Sequence, residues 1–439
     1  MGSDNRYLSI HQVTIKCKDL NKKLSQVYWC SVILLPKTTI KDIEKVFKGF
    51  LWTGGILTKG KAKVAWKMVC KPQEEGGLGI RDLQTWNKAL LTRQIWRLTK
   101  VKNSLWMDWV NIHHLHKHTF WEVKSKDLEG FSWSNMLALR DKLWKHIWKT
   151  PGDGNNINLW YDNWHSAGPL TKIIPVEEKD SHDLKNTMTL QQFCSNHGTG
   201  WPWGWDSRYP PLRAQNLPIL QTNKKDTVWW RDREGNKKDF NPTQVWKDIR
   251  TINPTVSWYK VVWFKLNIHS HAFIFWLAIQ DRLMTHERML SWNTSNNLKC
   301  LFCKEVPDSI KHLFFDCKYS REVWKQVCKI CFLHTSGTDM YQIVNSLQQR
   351  SHTTHIHTDI DRMAVAATIY FIWRERNLRY HNGSNIPHMK LANEIFNTLK
   401  ARLCGTELKW SKHMEEVCGK WKIARPRRWH PTKADDHGR

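Results

Sequence analysis

Cys300-Leu-Phe-Cys303, His312 and Cys317 constrain the fold of this chain more than any other residues. Their spacing, C-x2-C-x8-H-x4-C, puts three thiols and one imidazole within eighteen residues. Three thiolates and an imidazole complete a tetrahedral shell for Zn²⁺ and leave no open position, so the pattern points to one structural zinc ion rather than a catalytic one. Between Cys303 and His312 the residues are mostly polar, with Pro307 and Asp308 as turn formers, which suits a loop folded around a metal. The competing reading is three unrelated cysteines and a surface histidine, which makes the spacing a coincidence.

The 439 residues suffice for about three domains. Lys and Arg number 68 against 40 Asp and Glu, a formal net charge of +28. Such an excess calls for an acidic partner, and nucleic acid fits best. A membrane surface fits less well, because the charge is spread along the chain rather than gathered on one amphipathic helix. No apolar run approaches the ~20 residues of a spanning helix. The start, MGSDNRYLSI, lacks a charged-then-apolar signal. The expectation is an intracellular protein, nuclear or cytoplasmic. Its 11 cysteines are then thiols or metal ligands, not a disulfide framework. The 28 tryptophans serve mainly as core, with some available to stack on bases beside Lys and Arg.

The fold class expected is mainly α with small β hairpins. Ile40, Ile43, Val46, Phe47, Phe50 and Leu51 follow Pro36 at helical spacing, and Gly54-Gly55 ends that helix. A second helix carries Trp86, Leu90, Ile95 and Trp96; residues 121–150 continue helical until Pro151-Gly152-Asp153-Gly154. A short strand is expected around Ile157, Leu159 and Tyr161, then an irregular connection over about 165–225. Asp226 to Phe240 reads as a hairpin turning at Glu234-Gly235-Asn236, and Asn241-Pro242-Thr243-Gln244 as a helix start. Helices are expected over about 257–265 and 270–280, after Ser320, over 359–380 and over 388–403. The divisions expected are 1–120, 121–225, 226–335 around the zinc loop, 336–418, and a basic, disordered tail over 419–439.

Other motifs carry no chemistry on this reading. Gly76-Gly77-Leu78-Gly79 lacks the spacing of a phosphate loop. Cys328-Lys-Ile-Cys331 lies on an apolar helical stripe with Val323, Trp324 and Val327, which favours core packing over a second half-site. His113, His114, His116 and His118 read as surface histidines. No G-x-S-x-G is present, and Asp435-Asp436 sits in a polar tail without the flanking strands of a metal-binding carboxylate pair.

Trp263, Phe273, Trp276, Leu277, Arg282, Leu283 and Thr285, the four zinc ligands with His312-Leu-Phe-Phe-Asp-Cys317, and Trp324 together resemble the zinc-binding domain that follows reverse transcriptase in plant non-LTR (LINE-like) retrotransposons. Leu35-Pro36-Lys37, Phe50-Leu51-Trp52, Cys70-Lys-Pro72, Gly76 to Ile80 and Trp86-Asn87-Lys-Ala89 resemble the region beyond the polymerase core, close to its thumb. Ser104-Leu-Trp106 and Leu159-Trp160-Tyr-Asp162-Asn-Trp164 resemble the linker, and Ile372-Trp373-Arg374-Glu375-Arg376-Asn377 the block after the zinc domain. The resemblance covers about residues 27–380. It implies a helical post-polymerase segment followed by a small zinc-stapled helical domain. The family's polymerase fingers and palm, its endonuclease and an RNase H domain have no counterpart, so the expectation is a C-terminal remnant without catalysis.

The function expected is low-specificity binding of RNA or DNA, with no membrane partner and no small-molecule substrate. Candidate contacts are Lys420, Trp421, Lys422, Arg425, Arg427, Arg428 and Trp429, where Arg and Lys interleave with aromatic rings. The alternative is a protein-interaction or inert fragment that keeps a structural zinc.

Overall fold

A computed structural model of the chain describes residues 28–52, 62–100, 104–116, 118–123, 130–182, 184–289, 299–333, 337, 339–350, 355–383, 385–406 and 411–423. Gly54-Gly55, Asp435-Asp436 and residues 424–439 of the basic tail lie outside them. The chain folds as two compact units, each drawn from separated stretches. One takes Lys23–Glu44 and Arg81–Ile252, the other Lys45–Ile80 and Asn253–Arg439. The fold is mainly helical, with one three-stranded antiparallel sheet.

Helix α1, Lys37–Trp52, starts after Pro36 as the pattern requires, though Val46 of the expected stripe is exposed. In the first unit, α2 (Leu83–Thr99) is capped by Asp82, whose carboxylate accepts the Thr85 N–H at 2.8 Å. Trp86, Leu90, Ile95 and Trp96 all face inward. Asn87 is buried on this helix for a reason apolar periodicity does not predict. Its amide donates to the carbonyls of Cys30 (2.7 Å) and Ile33 (2.8 Å), and its oxygen accepts the Leu35 N–H (2.7 Å). One side chain thereby satisfies three backbone groups of the incoming chain.

Helix α3 is Leu105–Val110, and α4 is Phe131–Leu143. The helix expected to reach residue 150 stops earlier. Ile147–Thr150 is instead strand β1, paired antiparallel with β2, Thr227–Arg231, in the register Ile147 to Trp230 and Thr150 to Thr227. The partner strand overrides local propensity there. The expected hairpin forms: β3, Lys237–Lys238, returns beside β2 through a turn that Asp232 closes by accepting the N–H groups of Glu234 and Asn236. Asn241 caps α5, Pro242–Ile249. Behind the sheet, Trp230 is fully buried, stacked on His146 at 5.0 Å and donating to Asp248 at 2.6 Å.

Two expectations for residues 157–225 are corrected. The strand at Ile157–Tyr161 is absent, because the Asn158 side chain accepts the N–H groups of Trp160 and Tyr161 and bends the chain into a turn. The stretch read as an irregular connection has a core of its own. Ile157, Trp160, Phe193, Trp205 and Leu212 are buried together, with short helices such as Val176–Ser181 and Leu190–His197 around them. Helices this short show too few turns for a periodic signal.

The second unit is built on α6, His269–Ile279, whose residues His271 to Ala278 are all buried. Fully burying each large apolar side chain there stabilises by roughly 1.5–3 kcal/mol. The glycine loop at 76–79 packs against it: Trp276 donates its indole N–H to the Gly76 carbonyl at 2.8 Å. Gly76 has φ +85°, and a Cβ at Gly77 would lie 2.0 Å from the Lys71 carbonyl oxygen, so only glycine fits at Gly77. The role is close packing. Helices α7 (Lys318–Cys331), α8 (Met340–Gln349), α9 (Ile356–Asn382), α10 (His388–Cys404) and α11 (Lys412–Trp421) complete the unit around the same core. No side chain caps α7. Ser320 instead donates to the Leu313 carbonyl at 2.5 Å. Cys331 is buried and Cys328 half-buried on the packed face of α7, and burial pushes both thiols up to about 12. No helix among the described residues is long and apolar enough to cross a membrane.

Candidate metal centre and aromatic groove

The four sequence-predicted ligands converge. Cys300 and Cys303 sit on a tight knuckle: the Cys300 N–H donates to Val306 O at 2.6 Å, and the Lys304 N–H returns to Cys300 O at 2.8 Å. Lys304 adopts φ +58° to close it. His312 and Cys317 come from a widened helical turn, His312–Asp316, in which the Cys317 N–H bonds to His312 O at 2.8 Å. An ordinary α-helix would set residues five apart about 140° from each other. The wider turn brings both donors to one side.

The Cys300 and Cys317 sulfurs are 3.9 Å apart, and Cys303 Sγ lies 3.4 Å from His312 Nε2. All four donor atoms fall within 4.8 Å of one another. A tetrahedron with Zn–S near 2.3 Å and Zn–N near 2.0–2.1 Å has edges of about 3.8 Å between sulfurs and about 3.6 Å between sulfur and nitrogen. The donor set therefore fits one zinc ion, with no position left for water. Cys300 and Cys317 are fully buried. Contact with the Cys317 sulfur and then burial raise the Cys300 thiol, against the N–H groups of Cys303 and Phe302. The same contact lowers Cys317, helped by the N–H groups of Tyr319 and Ser320 at the start of α7. Those four N–H groups would serve equally to stabilise metal-bound thiolates.

The knuckle is anchored from behind by a residue that sequence reading treated only as a turn former. Asp308 is wholly buried. Its carboxylate accepts the His286 N–H and pairs with Arg376 Nε on α9 at 2.9 Å. Arg376 lies 5.3 Å from the rings of Trp373 and Tyr380. Phe302 is covered rather than presented: its ring lies 4.6 Å from Tyr319, and the Arg379 guanidinium lies 4.7 Å from it.

The candidate nucleic-acid contacts fare differently. Trp421 is corrected: it is buried, with its ring 5.1 Å from Phe396, because Met414, Val417, Cys418 and Trp421 form the packed stripe of α11. The tail expected to begin at 419 is helical to Trp421. Lys420 pairs with Glu416 at 2.7 Å, and Lys422 caps α11 at φ +51°. Arg425, Arg427, Arg428 and Trp429 lie outside the described residues. His118 pairs with Glu122 at 2.9 Å, and His114 stacks on Trp133 at 4.4 Å.

Sequence reading missed a groove of about 770 Å³ in the first unit. Trp96, Trp106, Trp109 and Trp133 line it beside Arg97 and Lys100, and no described lining residue is acidic. Trp109 is half exposed, and Lys100 Nζ lies 5.4 Å from the Trp96 ring. The signal available was Trp106 and Trp109 on α3, three apart and therefore on one face, just beyond Arg97 and Lys100.

Residues 240–324 match the family described as zinc-binding in reverse transcriptase. A protein of Arabidopsis thaliana provisionally named a ribonuclease H protein is 27% identical over 317 residues, 69% of this chain. The chain spans half of that protein's length. An uncharacterized mitochondrial protein of the same plant is 28% identical over 139 residues, 31% of this chain and 90% of its own length. These similarities agree with the resemblance to plant LINE-like proteins, and the chain carries a zinc-binding domain of the reverse-transcriptase kind, its four ligands gathered for one structural zinc.

Proposed function

We propose that the chain binds nucleic acid without catalysing a reaction on it, as the zinc-stabilised part of a plant retrotransposon-type reverse transcriptase. The observation that carries this reading is the groove of the first unit, where the exposed Trp106 and Trp109 stand over buried Trp96 and Trp133 beside Arg97 and Lys100, with no acidic residue among the described lining. Aromatic faces accept bases of any sequence, and cations accept the phosphates between them. The net charge of +28 supports it by favouring encounter with a polyanion. Arg425, Arg427, Arg428 and Trp429, with Lys420 and Lys422, are proposed separately as further contacts, on the ground of their sequence alone. The zinc acts on order, not chemistry: it holds the Cys300–Cys317 loop in one conformation.

Fluorescence titration with single-stranded RNA, single-stranded DNA and duplex DNA at several salt concentrations tests this. Dissociation constants should fall near or slightly below the 10⁻⁴–10⁻⁶ M usual for non-specific binding at physiological salt. Because Trp421 is core, the informative truncation is after Ile423. Losing Arg425, Arg427 and Arg428 should flatten the single-strand salt slope by about 2. Trp109→Ala, at an exposed position, should weaken single-strand binding by about 1–3 kcal/mol. Absence of binding at low salt would overturn the proposal in favour of a protein-interaction or inert role. Primer–template extension with Mg²⁺ and nucleotides should yield no product, because the only adjacent aspartates in the sequence, Asp435 and Asp436, stand among polar residues without flanking apolar runs. Extension that survives replacement of both by Asn would refute that part.

A further inference from the structure

The histidines of this chain are scattered in sequence, but the fold of the second unit gathers some of them. His357 lies in the first turn of α9, and His413 and Glu416 lie three residues apart on one face of α11. His357 Nε2 is 3.8 Å from Glu416 Oε2, and one donor atom from each of the three residues lies within 4.8 Å of the others. Among the described residues, this is the one such gathering besides the zinc knuckle. We propose that His357, His413 and Glu416 form a second site for a divalent transition metal, joining α11 to the start of α9.

Two imidazoles and a carboxylate suit Zn²⁺, Ni²⁺ or Cu²⁺, and the absence of thiolate separates this site chemically from the first. Donors around a four-coordinate zinc with bonds near 2.0–2.2 Å stand about 3.4 Å apart. The three groups therefore need to close by roughly 0.4–1.4 Å. His413 and Glu416 are exposed, so rotation of their side chains supplies that movement without disturbing the core. Glu416 is already oriented: its Oε1 holds Lys420 Nζ at 2.7 Å, leaving Oε2 toward His357. The His355 ring, at the N-cap of α9, lies 5.2 Å from that of His413 and is within reach as a fourth donor. Bound metal would tie down a helix whose other face, Met414, Val417, Cys418 and Trp421, is already in the core.

The test uses the full chain without a histidine tag. After loading with zinc and gel filtration, elemental analysis should find two metal ions per chain in the unsubstituted protein. The double variant His413→Ala/Glu416→Gln should retain one, and Cys303→Ser should lose the other. Cobalt separates the sites by colour: sulfur-to-cobalt charge transfer in the near ultraviolet should survive in the double variant and weaken in Cys303→Ser. One zinc per chain in the unsubstituted protein, or two in the double variant, would overturn the proposal. Unchanged far-ultraviolet circular dichroism in the double variant ensures that lost metal is not lost fold.

Discussion

Exchanging Cys303 for serine should remove the zinc of the Cys300–Cys317 knuckle and release that loop while most of the second unit stays folded. Structural zinc in small peptides contributes about 10–16 kcal/mol of apparent binding free energy at neutral pH, and much of that becomes local order. Asp308 still ties the loop to His286 and Arg376, so the part that depends on the metal is the knuckle itself. Its own backbone closes on itself through Cys300, Lys304 and Val306, whereas Leu313, Phe314 and Phe315 belong to the large core and persist. Amide exchange at Cys300, Lys304 and Cys317 should rise by orders of magnitude in the variant, or on chelation of the native chain, with only a modest change in helicity. Metal content should fall by one ion per chain. Unchanged zinc content would refute the assignment of Cys303, and global unfolding would show that the core leans on the metal more than its burial suggests.

Replacing Asp308 with alanine should destabilise the second unit by about 3–5 kcal/mol, because it leaves Arg376 charged, buried and without its carboxylate. Both side chains are almost wholly enclosed, so solvent does little to screen the pair. Asp308→Asn should cost less, since an amide oxygen still accepts the His286 N–H. The double variant Asp308→Ala/Arg376→Met should recover a large part of the loss, because an apolar pair has no charge to strand. Urea unfolding followed by tryptophan fluorescence measures all three. A loss under about 1 kcal/mol for Asp308→Ala would mean that water reaches Arg376.

What the chain disclosed in advance follows the sequence distance of each interaction. The zinc ligands were legible because coordination is satisfied within eighteen residues and leaves a fixed spacing. The hairpin at Thr227–Lys238 and the Asn241 cap were legible for the same reason. Asp308 and Arg376 stand 68 residues apart, and nothing local marks them as partners. The small core of Trp160, Phe193 and Trp205 went unread because helices of one or two turns leave no stripe. Trp421 was misplaced for a different reason. Met414, Val417, Cys418 and Trp421 follow i, i+3, i+4, i+7, a legible buried face, but the basic residues beside them drew attention to charge. The groove needed α2, α3 and α4 in three dimensions, and only the Trp106–Trp109 pair could have hinted at it.

The discontinuity of the second unit has a consequence for how the protein is made. Trp276 and Gln280 donate to Gly76 O at 2.8 and 3.1 Å, and Val256 N–H donates to Glu74 O at 2.8 Å, so the described segment 62–80 shares its core with chain that follows residue 253. At about 5–20 residues per second, a ribosome takes roughly ten to thirty seconds to cover that interval. During it Val64, Trp66, Val69 and Ile80 wait with apolar faces uncovered, while Arg81–Ile252 can already assemble. Contacts of such high contact order close late and slowly. The waiting segment is therefore where a chaperone would first find this chain, and a zinc domain cut out at residue 240 would emerge without one wall of its core.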